Sequence, residues 1–123
     1  MTAEGADELD LLVIGGGPAG EKGAAQAAYF GKRVAVVERA KEPGGAAVHT
    51  GTLPSKTLRE AALYLSGHRS RSLYGVAIDL EPQRMLHGLM GRKAAIAAAE
   101  SLRIRNNLAR HQVELIEGHA RFT

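Results

Sequence analysis

The chain has 123 residues, 45% of them hydrophobic and 24% charged, a globular composition that argues against disorder and allows one domain at most. Its 16 Lys and Arg against 13 Asp and Glu leave a mildly basic net charge of +3, and with only 4% aromatic residues there are few stacking platforms, so nucleic acid is not an expected partner. There is no cysteine, which excludes a disulfide scaffold, a thiolate metal site, a Cys nucleophile and a dithiol redox centre. No apolar run is long enough to cross a bilayer, and the N-terminal MTAEGADELD lacks the basic start of a signal peptide. The expectation is a soluble, cytoplasmic protein with no membrane partner.

Residues 9–14 (LDLLVI) predict a strand, and the near-continuous apolar run suits a parallel sheet covered on both faces. From Pro18 to about Phe30 the pattern turns helical. Ala19, Gly23, Ala24, Ala27 and Ala28 give that helix a small-residue face able to approach a sheet, and Gly31 is its stop. Residues 33–38 (RVAVVE) predict a second strand, so the three elements make one right-handed βαβ unit. Residues 39–52, with Pro43, Gly44, Gly45 and Gly51, read as a loop. A helix follows from near Pro54 to about Leu65, with Leu58, Ala61, Ala62 and Leu65 on one face.

Residues 66–79 read as a polar connection with a short extended piece at 75–78. A long helix is expected from Pro82 to about Arg110, its apolar stripe running through Leu86, Met90, Ala94, Ala97, Ile104 and Leu108, with Gly88 and Gly91 weakening the first half. Residues 113–117 (VELIE) predict a third strand and residues 119–122 the start of a fourth. The class is α/β with a parallel sheet. Such sheets usually hold more strands, so the chain is expected to be the front part of a longer protein.

The sharpest motif is Gly15-Gly16-Gly17-Pro18-Ala19-Gly20, a G-x-G-x-x-G that follows a strand and opens a helix. Gly15 allows the tight turn, Gly17 lets the backbone approach a pyrophosphate, and Gly20 permits close helix–strand packing. The helix start offers unpaired N–H groups to phosphate oxygens. Glu38 ends the second strand 23 residues after Gly15, where an acidic side chain accepts hydrogen bonds from an adenosine ribose. These features predict dinucleotide binding without separating FAD from NAD.

Residues 44–56 (GGAAVHTGTLPSK) separate them. Here the chain resembles the FAD-binding, Rossmann-like N-terminal domain of the flavin-dependent pyridine nucleotide–disulfide oxidoreductase family, whose pattern is GG-x-C-x-N-x-G-C-[IV]-P-S-K. Gly44, Gly45, Gly51, Pro54, Ser55 and Lys56 match, while Ala47 and Thr52 stand where the redox cysteines would be and His49 where Asn is usual. Without either thiol, the flavin-to-disulfide relay cannot operate. Within the family the H-x-G-T-[IL]-P-S-K run is most similar to soluble pyridine nucleotide transhydrogenases, and the GGAAV lettering is shared with a cysteine-poor quinone-reducing branch.

The resemblance implies a doubly wound parallel sheet of which residues 1–123 are the N-terminal part, with the nicotinamide-binding and dimerisation domains absent. It implies a parent enzyme that uses FAD and NAD(P)(H), moves a hydride between NADPH and NAD through flavin N5, and forms a homodimer. A flavin-dependent NAD(P)H:quinone oxidoreductase, a lipoamide dehydrogenase-like relative lacking the redox disulfide, and an FAD-binding fragment without turnover remain as alternatives. The implied cofactor contacts are Gly15, Gly17, Pro18, Ala19, Gly20, Glu38 and Arg39; then Gly44, Gly45, Ala46, Ala47, Gly51, Thr52, Ser55 and Lys56; and Gly118, His119 and Ala120 against the adenine. Lys56 is expected on a helix's first turn near flavin N5, and Ser55 as a possible cap of that helix. His49 is expected on the flavin face, with a structural contact or proton handling open to it.

His68, His87, His111 and His119 have no metal-ligand spacing and read as solvated, so no metal site is expected. Arg69, Arg71, Arg84, Arg92, Arg103, Arg105 and Arg110 read as a solvated face.

Overall fold

In the computed structural model, residues 8–67, 74–75 and 81–123 are described. His68, Arg69, Arg71 and most of the extended piece expected at 75–78 lie outside them. Three parallel strands form one sheet in the order β1 (Leu11–Ile14), β2 (Val34–Glu38), β3 (Glu114–Glu117). Leu11 pairs with Val34, and Val36 with Leu115. Helix α1 (Pro18–Tyr29) connects β1 to β2, while α2 (Gly45–His49), α3 (Thr52–Ser66) and α4 (Pro82–Arg110) lie between β2 and β3.

The β-branched run of β2 is paired on both sides and buried along nearly its whole length. β1 differs from expectation. Among the described residues it is paired on one side only, and Leu12 and Ile14, which share one face of the strand, are 48% and 53% exposed. The core gathers Ala24 of α1, Val34 and Val36 of β2, Val48 of α2, and Ile104, Leu108 and Val113. Val13, Ala27, Ala28, Leu53, Ala97 and Leu115 pack against it. Burying an aliphatic side chain of the size of Ile104 or Leu108 contributes about 1.5–3 kcal/mol, and both are fully buried.

Three expectations are corrected. The loop at 39–52 contains helix α2, because Gly44 turns the chain at φ 132° and Val48 then anchors one helical turn in the core. Helix α3 begins at Thr52 rather than near Pro54, with Gly51 at its cap, so Lys56 lies beyond the first turn. Residues 119–122 form no strand: the Gly118 N–H donates to the Glu38 carbonyl at 2.9 Å, and no described strand lies alongside the segment that follows.

The apolar stripe of α4 is divided. Ile104 and Leu108 are buried, with Ala97 packed against the same core, whereas Leu86 and Met90 are exposed, and the groove shared with α3 is lined instead by Met85, Gly88 and Leu89. On α1 the buried face is Glu21, Ala24 and Ala25 rather than Ala19 and Gly23.

The arginine row on α4 is also not simply solvated. Arg103 forms a two-toothed pair with the buried Glu21, at 3.1 Å to each oxygen, and Asn107 donates to the same carboxylate at 2.7 Å. Burial acts to raise the Glu21 carboxyl, but the bonds from Arg103 and Asn107 outweigh it and hold it below the usual carboxylate range. The pair spans 82 residues and fixes α1 to α4. Arg92 faces Glu60 of α3 at 3.5 Å, and Arg84 faces Glu81 at 3.7 Å. His111 is half-buried, its Nδ1 hydrogen-bonded with the Asn107 carbonyl at 2.8 Å, while His87 is exposed.

Candidate dinucleotide site

At the C-terminal ends of the strands a cleft of about 630 Å³ opens between the two glycine segments. It is lined by Ile14, Gly15 and Gly17 from β1 and the first turn, and by Val37, Glu38, Arg39 and Ala40 from β2. Gly45, Ala46, His49 and Thr50 of the α2 region and Gly118, His119 and Ala120 after β3 complete it. A cleft outside the carboxyl ends of parallel strands is the usual ligand position in open α/β sheets.

Backbone geometry explains two glycines of the first motif, Gly15 and Gly20. Gly15 takes φ +99°, a conformation costly for residues with a Cβ, and its N–H donates to the Val37 carbonyl at 2.8 Å. A Cβ on Gly20 would lie 2.0 Å from the Gly15 carbonyl oxygen and 3.2 Å from Val13 Cγ1, so α1 packs onto β1 at a distance that only glycine permits. A Cβ on Gly17 would meet nothing within 4 Å, although Gly17 lines the cleft. Gly17 is also the N-cap of α1 and makes no side-chain cap bond, so the first-turn N–H groups of a 12-residue helix lack a side-chain acceptor there.

The second glycine segment is bonded to the first. The Gly44 N–H donates to the Gly16 carbonyl at 2.9 Å, and a Cβ on Gly45 would sit 3.2 Å from Gly17 Cα. The Gly16 N–H in turn donates to Glu38 Oε2 at 2.7 Å, and the Ala40 N–H to Glu38 Oε1 at 2.9 Å. Burial acts to raise the Glu38 carboxyl, which is 8% exposed, but the bonds from Ala40 and Gly16 and the nearby Arg39 overcome it and hold it ionised below the usual range. Glu38 therefore ties the glycine turn to the end of β2 as well as facing the cleft.

Of the residues expected at the site, Gly15, Gly17, Glu38, Arg39, Gly45, Ala46, His49, Gly118, His119 and Ala120 come together on the cleft wall. Pro18, Ala19 and Gly20 form the first turn of α1 behind it. Gly44 is buried against Val48, and Ala47 and Gly51 are half-buried outside the lining. Thr52, Ser55 and Lys56 are exposed on α3, also outside the lining. Ser55 is not a cap; its hydroxyl donates to the Thr52 carbonyl at 3.1 Å.

Sequence reasoning found the loop after Glu38 but missed that α4 holds two of its carbonyls, those of Lys41 and Pro43. Ser101 Oγ donates to the Pro43 carbonyl at 2.8 Å, and the Arg105 guanidinium donates to the Lys41 carbonyl and, at 3.1 Å, to Glu42. The only sequence signal was a serine interrupting the apolar stripe of α4. Among the described residues, no group of three or more His, Asp or Glu could hold a metal ion, and no helix is long and apolar enough to cross a membrane.

The geometry fits an FAD dinucleotide. A glycine wall without Cβ atoms leaves room for a pyrophosphate, an uncapped helix start supplies donors, and an ionised carboxylate stands at the end of β2.

The comparisons with known proteins agree. The profile of the FAD dependent oxidoreductases matches residues 10–102. A soluble pyridine nucleotide transhydrogenase of Mycobacterium bovis (strain BCG / Pasteur 1173P2) is 47% identical over 115 residues, covering 94% of this chain and 25% of the relative. One from Hahella chejuensis is 37% identical over 92% of this chain and 24% of its own length. The chain thus spans about a quarter of the length of these relatives. Among solved structures, the Cu(II) complex of the HOCl-induced flavoprotein disulfide reductase RclA from Escherichia coli superposes with a TM-score of 0.70 at 25% identity, covering 94% of this chain and 23% of that one. The chain belongs to the FAD dependent oxidoreductase family.

Proposed function

We propose that this chain is the adenosine- and pyrophosphate-binding front of a pyridine nucleotide transhydrogenase that exchanges a hydride between NADPH and NAD. The dinucleotide part of the reading is carried by the paired glycine wall, in which Gly16 donates to Glu38 and accepts from Gly44, and the transhydrogenase part is supported by the 47% identity to a relative of that name. FAD, when bound, supplies the two-electron chemistry. The chain's own part is binding and orientation.

Gly15 and Gly17 admit the pyrophosphate, and the first turn of α1 donates to its oxygens. The Glu38 carboxylate accepts backbone bonds from Gly16, Ala40 and Arg39, and of the roughly four acceptor sites on its two oxygens one is left to take a ribose hydroxyl. Residues 118–120 close the adenine end through backbone groups, and Gly118 is held there by its bond to the Glu38 carbonyl.

The Ala47 and Thr52 positions carry no sulfur, so a disulfide acceptor has no relay within this chain. Dimerisation and the nicotinamide site belong, in this reading, to the remaining three quarters of the length seen in the relatives. The test is performed on the full-length polypeptide carrying this chain. NADPH is expected to reduce an NAD analogue, with no turnover of lipoamide or glutathione disulfide and no long-wavelength thiolate–flavin band on reduction. Turnover of a quinone without transfer to NAD overturns the transhydrogenase reading in favour of a quinone reductase.

A further inference from the structure

The Pro43 carbonyl joins the core to the cleft. It accepts the buried Ser101 hydroxyl at 2.8 Å, and His49 Nε2 lies 3.2 Å from the same oxygen. A carbonyl only accepts, so His49 Nε2 carries the hydrogen. In the neutral ring Nδ1 is then the lone-pair nitrogen. His49 ends α2 and lines the cleft beside Gly45 and Ala46.

The loop that holds this carbonyl is itself fixed from α4. Arg105, one turn beyond Ser101 on the same helix face, donates to the Lys41 carbonyl and to Glu42. Gly44 next to Pro43 takes φ 132°, and a Cβ there would lie 2.6 Å from Val48 side-chain atoms, so the turn into α2 has little freedom. Ser101 is 1% exposed on a stripe otherwise made of Ala97, Ile104 and Leu108. Alanine would satisfy the packing there, whereas a buried hydroxyl must be hydrogen-bonded to be tolerated.

We propose that Ser101 is a positioning residue for the dinucleotide site. Through the Pro43 carbonyl it fixes His49 as the Nε2–H tautomer and presents Nδ1 as an acceptor to an O–H or N–H donor of the bound dinucleotide. The proposal rests on the dinucleotide reading of the cleft.

The test uses the full chain labelled with ¹⁵N-histidine, at about pH 8, above the usual imidazole range of ~6.5. Long-range ¹H–¹⁵N spectra report the tautomer, the His49 signals are assigned by His49→Gln, and FAD is the probe ligand. Wild type is expected to show His49 as Nε2–H, with Nδ1 shifting on FAD addition. Ser101→Ala mixes the two tautomers and weakens FAD binding about tenfold, the effect of one hydrogen bond. Ser101→Thr, which keeps the hydroxyl, restores both.

A wild-type His49 found mainly as Nδ1–H overturns the proposal whatever the variants do. So does Ser101→Ala with unchanged tautomer and FAD affinity. An Nε2–H tautomer that depends on Ser101 in a chain that binds no FAD overturns the acceptor role together with the dinucleotide reading. FAD binding with an Nδ1 signal that does not move overturns the acceptor role alone.

Discussion

Gly20 stands so close to Gly15 that a Cβ on Gly20 would fall 2.0 Å from the Gly15 carbonyl oxygen. That contact is between backbone and backbone, so no side chain can rotate away to relieve it. Gly20→Ala must push α1 off β1, and overpacking of this kind costs typically about 1–3 kcal/mol. Urea unfolding should show a lowered midpoint with little change in slope. An unchanged midpoint would mean that α1 does not sit on β1 as described.

The Glu21–Arg103 pair predicts a second stability effect. Arg103→Ala leaves a buried carboxylate with Asn107 as its remaining close donor, while Lys22 stands at 3.5 Å. An under-satisfied buried group costs about 1–3 kcal/mol. Arg103→Lys should recover only part of that loss, because one ammonium cannot reproduce the two-toothed geometry.

Acid should unfold the protein through two named carboxylates. Glu21 and Glu38 both titrate below their usual range in the folded chain. Their contribution is therefore complete above the unfolded value of about 4.3, and it is lost as pH falls from there through the lowered folded values. Glu38→Gln should flatten the acid limb of a stability–pH curve, and it should also loosen the glycine turn by removing the charged acceptor of Gly16.

Gln112 offers a control far from the cleft lining. It takes φ 58° at the turn between α4 and β3, where its N–H donates to the Ala109 carbonyl at 3.0 Å. A non-glycine residue in the left-handed region costs roughly 1–2 kcal/mol, part of which glycine gives back through its greater unfolded freedom. Gln112→Gly should raise stability by about 0.5–1 kcal/mol, leaving FAD affinity at its wild-type value.

The βαβ unit and its glycine turn were legible because they are local. A strand, three spaced glycines and a terminal Glu38 fall within one short stretch, and the fold gives Gly15 and Gly20 a geometric reason each, a positive φ and a close approach to backbone. The long helix was legible by length, from Pro82 to Arg110. Its partners were not.

Nothing in the sequence near Glu21 points to Arg103, 82 residues away, or near Pro43 to Ser101, 58 residues away. Such contacts exist only once α4 lies against α1 and the loop. Helix α2 was hidden for another reason: Gly44 and Gly45 signal a loop, and the one anchoring side chain, Val48, carries no periodicity. Lys56 was misplaced on the first turn because Pro54 is a familiar helix start, whereas the helix begins at Thr52.

The central claim is that the glycine wall receives the FAD pyrophosphate, and Gly17 tests it most directly. A Cβ there meets nothing within 4 Å and the backbone sits at φ −73°, so Gly17→Val should fold with nearly wild-type stability while its side chain enters the cleft. FAD titration of wild type and Gly17→Val, monitored by quenching of flavin fluorescence, should show binding in the first and its loss in the second, with both unfolding at similar urea concentration. A folded Gly17→Val chain that binds FAD as tightly as wild type would contradict the account.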